Sequence, residues 1–375
     1  MVGWGLRGLR VYYVEVHVGL NALSALRLDE QMLHGRPAWV LENGCIRVSV
    51  LKGGGHIAEV RQMTGDLKRD VNPMRVPHYP TIDPQTYVDA RDNTTYGDDP
   101  HRWLSAGYMG HLLCFPVYGP PSSPEEIAAG LGNHGEAPIV AWQRTGGGVE
   151  GHAVVLRYSA ELPKTQYRVQ RRLKVPEKGD WVHVEESVEN LQSFDRPVQW
   201  MQHATFGPPF IEPGKSLMRI SAVKGDRNGA LPAGESVQER LMPATNPGGS
   251  YTALLLDRQR PHQFFTMSHP NFPVTIGYLF PTEAHLWAAD WQENQSAQQK
   301  PWNGEVIARG IEFGSSPYAE GLRKSVERGS LFDTPAYRWI GARQTLSTEF
   351  VIFLTEKRVW DARWENGAVV LDELP

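Results

Sequence analysis

The sequence predicts an all-β protein, most simply a large antiparallel β-sandwich. Three observations lead there. Short runs of alternating apolar and polar residues recur from Ala38 to Leu354, bounded by Gly, Pro, Asn and Asp; this is the pattern of half-buried strands with turns between them. Long helical periodicity is scarce, which argues against parallel strands joined by crossover helices. The 375 residues include 37 Gly and 28 Pro, enough punctuation for many turns.

Residues 1–37 lack this patterning and read as an N-terminal extension; residues 38–375 read as a single β-sandwich domain. Period two begins with Cys45-Ile46-Arg47-Val48-Ser49-Val50 and continues through His56–Val60. Between them, Lys52-Gly53-Gly54-Gly55 reads as a hairpin turn. Further strand runs cover 139–144, 153–162, 167–175, 181–189, 197–206, 252–256, 274–280, 285–291, 306–313 and 348–354. Val71–Tyr118 is rich in Pro, Asp, His, Tyr and Asn but has little periodicity, and reads as long loops that wall a site. Short helices are expected at Pro124–Ala129, with Ser123 as N-cap, and at Tyr318–Val326.

Composition narrows the function. Lys plus Arg count 38 and Asp plus Glu 42, for a net charge of −4. That balance argues against a nucleic-acid or polybasic membrane binder. No apolar run approaches the ~20 residues needed to span a bilayer as a helix. Arg7, Arg10, Glu15 and His17 break up any signal-like stretch, so a cytoplasmic location is expected. Two cysteines, Cys45 and Cys114, provide neither a disulfide framework nor a thiolate metal cage.

The common nucleotide, metalloprotease and hydrolase motifs are absent. Three contexts carry chemistry instead. Gly132-Asn133-His134-Gly135 precedes the run containing Trp142; Trp200-Met201-Gln202-His203-Ala204-Thr205-Phe206 ends a strand; Arg309-Gly310-Ile311-Glu312-Phe313 places a carboxylate inside an apolar strand. Taken singly, each has a structural explanation. Taken in order, they resemble the aldose 1-epimerase (galactose mutarotase) family. That family has a His-Gly pair before a Trp-bearing strand, as in His134-Gly135 and Trp142. It then has Asn, a turn, Pro and His-x-x-Phe, as in Asn190, Pro197 and His203–Phe206. Near its C-terminus lies a Glu followed by a Pro loop, as in Glu312 and Pro317. Leu41–Gly44 through Gly54–Ile57 resemble its opening hairpin, so the resemblance spans about Ala38 to Leu354.

The resemblance implies a supersandwich fold and interconversion of sugar anomers by ring opening, with a small-molecule carbohydrate as substrate and no cofactor or metal. Glu312 would act as base and His203 as acid, with His134 hydrogen-bonded near the ring oxygen or anomeric centre. A partly buried Glu and a His are suited to exchanging protons near neutrality. Trp142 and Trp291 are candidate aromatic walls, alongside Trp200, Trp287 and Trp302.

The sequence also departs from the family pattern. Glu136 and Ala137 follow the His-Gly pair where a basic residue is usual. The loop Phe115–Pro121 lacks the family's Arg. Arg91, Arg102 and Arg309 are candidate replacements, and Asp290 and Glu293 are candidates for the sugar-binding acid. Two alternatives stay open. One is another sugar isomerase or lyase, possible with a metal held by His78, His101, His111, His134, His203 and Glu312. The other is a non-catalytic carbohydrate-binding protein on the same scaffold.

Overall fold

The computed structural model describes residues 25–244 and 247–373. The part of the expected extension that covers residues 1–24 lies outside them. The boundary placed after residue 37 falls inside a strand, because Arg27–Leu33 pairs with Arg36–Glu42. The two-residue turn His34-Gly35 joins them with positive φ at both positions, the geometry that matches strand twist. Arg27–Leu33 has no buried position. A charged edge strand of this kind carries no apolar alternation to read. Ile46–Leu51 and Ile57–Gln62 complete a four-stranded sheet.

Two larger antiparallel sheets form the body. The nine-stranded sheet runs, in spatial order, Glu239–Leu241, Leu217–Ile220, His262–Ser268, Thr275–Pro281, Thr345–Thr355, Trp181–Asn190, Tyr167–Pro176, Ala153–Leu162 and Gln143–Glu150. The six-stranded sheet runs Ala222–Asp226, Gly248–Leu256, Trp287–Asn294, Ile307–Gly314, Met201–Phe206 and Leu112–Cys114. Apolar side chains from both sheets share one core: Val184, Tyr278 and Ile352 from the first, Ala204, Ile311 and Phe313 from the second. Phe280 stacks on Phe313 with ring centroids 4.1 Å apart. This is the expected sandwich, two inner faces interdigitating.

Strand parity then decides where chemistry lies. Ala204, Phe206, Ala288, Ile311 and Phe313 belong to the shared core. Because side chains alternate along a strand, His203, Thr205, Trp291, Glu293, Gly310 and Glu312 lie on the opposite face of the six-stranded sheet. Segment 71–118 contributes part of that face's cover. It is not all loop: short helices form at Asp89–Tyr96 and Arg102–Gly107, and a strand at Leu112–Cys114. The first helix, DARDNTTY, has few apolar residues, so no amphipathic stripe announces it.

Other elements follow the sequence closely. The Lys52–Gly55 turn joins the strands either side of it, and a Cβ on Gly55 would sit 2.7 Å from the Trp142 ring. Ser123 caps Pro124–Ala128 by accepting from the Glu126 amide at 3.2 Å. The later helix is Leu322–Arg328, shifted from the expected 318–326. The run at 139–144 is a 3₁₀ turn, Ala137–Ile139, leading to a strand that starts at Gln143. The run at 197–206 is broken at Gln199-Trp200, whose amides bond to Pro116 O and Ser315 Oγ.

Candidate active site

His203 and Glu312 face each other across neighbouring antiparallel strands. Their side chains meet at 3.0 Å between Nε2 and Oε1. Both are almost wholly buried. Burial pushes the Glu312 carboxyl well above its ordinary range. Burial likewise drives His203 down to about 3, with further lowering from nearby His111 and Arg75. Both directions favour the neutral forms in a poorly solvated place. Glu312 Oε2 is buried with no hydrogen-bond partner among the described residues. His203 Nδ1 lies 2.8 Å from Thr205 Oγ1, which lies 2.5 Å from the Tyr108 hydroxyl.

His134 comes from the loop before the 3₁₀ turn. Its backbone takes φ 64 and that of Gly135 φ 83. Glycine is required at 135, where a Cβ would sit 2.4 Å from Phe115 O. The His134 amide donates to Gly119 O at 2.9 Å, and the Gly119 amide donates back to Nδ1 at 3.1 Å. An Nδ1 that accepts leaves the proton of the neutral ring on Nε2. The ring stacks on Tyr118 and stands edge-on to His203, with centroids 5.1 Å apart. Burial, followed by His203 and His101, lowers its pKa.

All three residues line one cavity of about 310 Å³, at the small end of the ~300–1,000 Å³ of ligand sites. Tyr108, Tyr251, Trp291 and Trp302 supply its aromatic walls. Trp291 lies 5.8 Å from the His203 ring and 6.0 Å from Trp302. Gly310 packs against two of these lining residues. A Cβ there would come within 2.9 Å of His203 and 3.0 Å of Trp291.

The remaining expected binding residues lie elsewhere. Asp290 and Arg309 have the wrong parity and point to the other face of their sheet. They pair with each other at 2.9 and 3.0 Å, and Arg240 adds a 2.8 Å bond to the same carboxylate. Trp142 is buried outside the cavity, donates to Ala137 O at 3.1 Å and packs against Tyr158. Arg91 projects from the surface, paired to Asp92 at 2.7 Å. Arg102 pairs with Asp89 at 3.4 Å and covers Trp103. Glu293 does line the cavity, but its carboxylate holds the loop amides of Ser296 and Ala297.

Arg75 goes unmarked by the sequence pattern. It is buried, donates to Tyr108 O at 2.8 Å, and sets its guanidinium 4.6 Å from the Tyr108 ring. Its Nη2 has no hydrogen-bond partner among the described residues. A buried cation without a carboxylate is costly, and this one stands directly behind a cavity wall. Its signal is its place, an Arg inside the aromatic-rich segment 71–118. Glu136, which takes the place of the family's basic residue, anchors the backbone amides of Lys164 and Thr165 at 2.9 Å each.

Among the described residues no group of three or more His, Cys, Asp or Glu is placed to hold a metal ion. His111 is separated from the cavity. It bonds to Gln202 and Tyr278 at 3.0 and 3.2 Å on the core side. A larger hollow, about 770 Å³, lies elsewhere and is lined by Arg157, Arg172, Glu185 and Glu349 among others. Arg172–Glu185 and Arg157–Glu150 are already paired, so it offers no comparable acid/base set.

Solved structures share this architecture. A protein from Klebsiella pneumoniae, provisionally named an aldose 1-epimerase, superposes with a TM-score of 0.62 at 13% identity, covering 87% of this chain and 83% of its own. A galactose mutarotase-like protein from Clostridium acetobutylicum gives 0.57 at 15% identity, covering 88% and 98%. The fold is galactose mutarotase-like. Another galactose mutarotase-like protein, from Lactobacillus casei, gives 0.51 at 10% identity, covering 84% and 99%. No family model matches the sequence, and no curated protein matches it. The mutarotase-like fold is thus shared by chains that keep little common sequence.

Proposed function

We propose that this chain is an aldose 1-epimerase-like isomerase that opens and recloses a sugar ring at the anomeric carbon. One observation carries the reading: a buried His203–Glu312 pair at 3.0 Å on the floor of a cavity large enough for a monosaccharide, with the second Glu312 oxygen unpartnered. The neutral pair and the carboxylate–imidazolium pair hold the same number of protons. Transfer along the existing hydrogen bond therefore produces base and acid together, with no proton from solvent.

A sugar seated on the floor replaces that mutual hydrogen bond. Glu312 takes the proton of the anomeric hydroxyl. The electron pair left on O1 forms the C1=O1 carbonyl, the C1–O5 bond breaks with its electrons going to the ring oxygen, and His203 protonates that oxygen. The pair returns to its neutral form. Rotation about C1–C2 and the reverse steps give the other anomer. His134, with its proton on Nε2, donates to the ring-oxygen side and stabilises the charge that develops there.

The test is anomer equilibration of free aldoses followed by NMR. Faster equilibration than buffer for at least one sugar in a panel supports the reading. Sugar binding without any rate above buffer overturns it and leaves a carbohydrate-binding protein.

A further inference from the structure

The hydrogen bonds behind His203 carry a direction. Glu312 Oε1 lies 3.0 Å from His203 Nε2, and Oε2 has no partner among the described residues. A carboxyl held neutral by burial needs an acceptor for its proton, and Nε2 is placed to be that acceptor. An Nε2 that accepts puts the proton of the neutral imidazole on Nδ1. Nδ1–H then donates to Thr205 Oγ1 at 2.8 Å, and the Thr205 hydroxyl passes its own proton toward the Tyr108 oxygen at 2.5 Å. Tyr108 Oη to His203 Nδ1 is longer, 3.4 Å, so the chain runs through Thr205. Receiving from Thr205, Tyr108 keeps its own hydroxyl proton to give away, and Tyr108 lines the cavity.

We propose that Thr205 and Tyr108 are positioning residues that hold His203 as its Nδ1–H tautomer and aim the Tyr108 hydroxyl proton at the sugar. The proposal rests on the isomerase reading for its catalytic meaning, but the tautomer itself does not depend on turnover. The arrangement suits the chemistry. Nδ1–H stays bonded to Thr205 whether His203 is imidazole or imidazolium, so only Nε2 gains and loses a proton. A hydroxyl stabilises the imidazolium less than a carboxylate would, which keeps the ring a willing acid. The charged and titratable groups around His203 are Glu312 from the facing strand, Tyr108 over its Nδ1 edge, Cys114 from the other flanking strand, His134 from its loop, Arg75 behind Tyr108, and His111 and His56 beyond. Only Tyr108 also reaches Nδ1, at 3.4 Å against 2.8 Å for Thr205.

The experiment is ¹⁵N–¹H correlation of the imidazole nitrogens in the intact protein at neutral pH, with the His203 signals assigned by their loss in His203→Asn. The expected wild-type pattern is protonated Nδ1 and bare Nε2. Thr205→Val is expected to shift the population toward Nε2–H, and Thr205→Ser to restore the wild-type pattern. In kinetics, Thr205→Val is expected to lower kcat at least tenfold with little change in KM, whereas Tyr108→Phe raises KM. A wild-type Nε2–H pattern, or a Thr205→Val spectrum identical to wild type, overturns the inference. Absence of mutarotation would defeat the isomerase reading while leaving the tautomer result to stand or fall by itself.

Discussion

His203 and Glu312 are directly opposed on adjacent antiparallel strands, and their side chains meet at 3.0 Å on the face turned away from the core. Neither has to be brought in by a loop. Their separation is set by sheet register, which the core-facing Ala204, Ile311 and Phe313 fix on the other side. Glu312→Gln is therefore expected to keep the fold and to lower kcat by about 10²–10⁴, the usual scale for a lost acid/base group. His203→Asn is expected to fall in the same range. Anomer equilibration by NMR, beside a circular dichroism check of folding, reads both. A folded Glu312→Gln protein with wild-type kcat would remove Glu312 from the chemistry.

The proposed reaction needs one proton on the Glu312–His203 axis. Acid adds a second one only below the depressed His203 value of about 3, and base removes the first only above the raised Glu312 value. A broad plateau through neutrality is the expected profile. A steep loss of kcat between pH 7 and 5, with the protein still folded, would contradict it.

Stability should behave differently from activity. His56, His111, His203 and His285 are all pushed down to about 3, chiefly by burial. A lowered folded value means that stability is complete above the ordinary value of 6.5 and is lost as pH falls from there toward 3. Each histidine removes up to about 1.4 kcal/mol per pH unit inside that window. Glu312, being raised, works the other way, its contribution fading as pH rises from 4.5, but it is one group against four. Urea unfolding at pH 7 and pH 5 is expected to show a clearly lower midpoint at pH 5. Equal midpoints would mean that these rings are not buried as neutral groups.

Asp290 and Arg309 resemble binding residues in sequence and behave as a buried ion cluster in the fold. Asp290→Asn leaves Arg309 and Arg240 short of charge in a dry site. The expected cost is about 3–5 kcal/mol of stability, with KM for the sugar nearly unchanged. A raised KM without loss of stability would return Asp290 to the substrate.

Trp291 and Trp302 form a tilted aromatic wall beside the His203–Glu312 pair. Trp291→Ala is expected to raise KM by up to about tenfold, in line with aromatic contacts worth ~0.5–1.5 kcal/mol. A comparable change in Trp142→Ala would be unexpected. That residue supports the Gly55 turn, and its loss should appear as a lower unfolding midpoint.

Much of the fold is legible in the sequence because its signals are local. Alternation marks the central strands, and Gly and Pro mark the turns. Arg27–Leu33 is missed since an exposed edge has nothing apolar to alternate, and Asp89–Tyr96 since a short polar helix leaves no stripe. In the site, order along the chain points to His134, His203 and Glu312, and the structure gathers all three in one cavity. Asp290 and Arg309 mislead because residue type is visible in sequence while facing is not. Counting parity from Ile311 and Phe313 would have placed Arg309 on the core side. Arg75, Tyr108 and Thr205 leave no motif. They act through contacts that form only when segment 71–118 folds over the sheet.

Gly310 has no side chain, and a Cβ there would stand 2.9 Å from His203 and 3.0 Å from Trp291, two residues that line the cavity. The placement of both rings is consequently tied to one position. Any side chain at 310 would push the His203 imidazole and the Trp291 ring apart in the same stroke. Leu104, Ser105 and Gln299 also line the cavity, and a change of side chain there leaves the spacing at Gly310 untouched. The two rings can thus keep their spacing while the rest of the cavity lining changes.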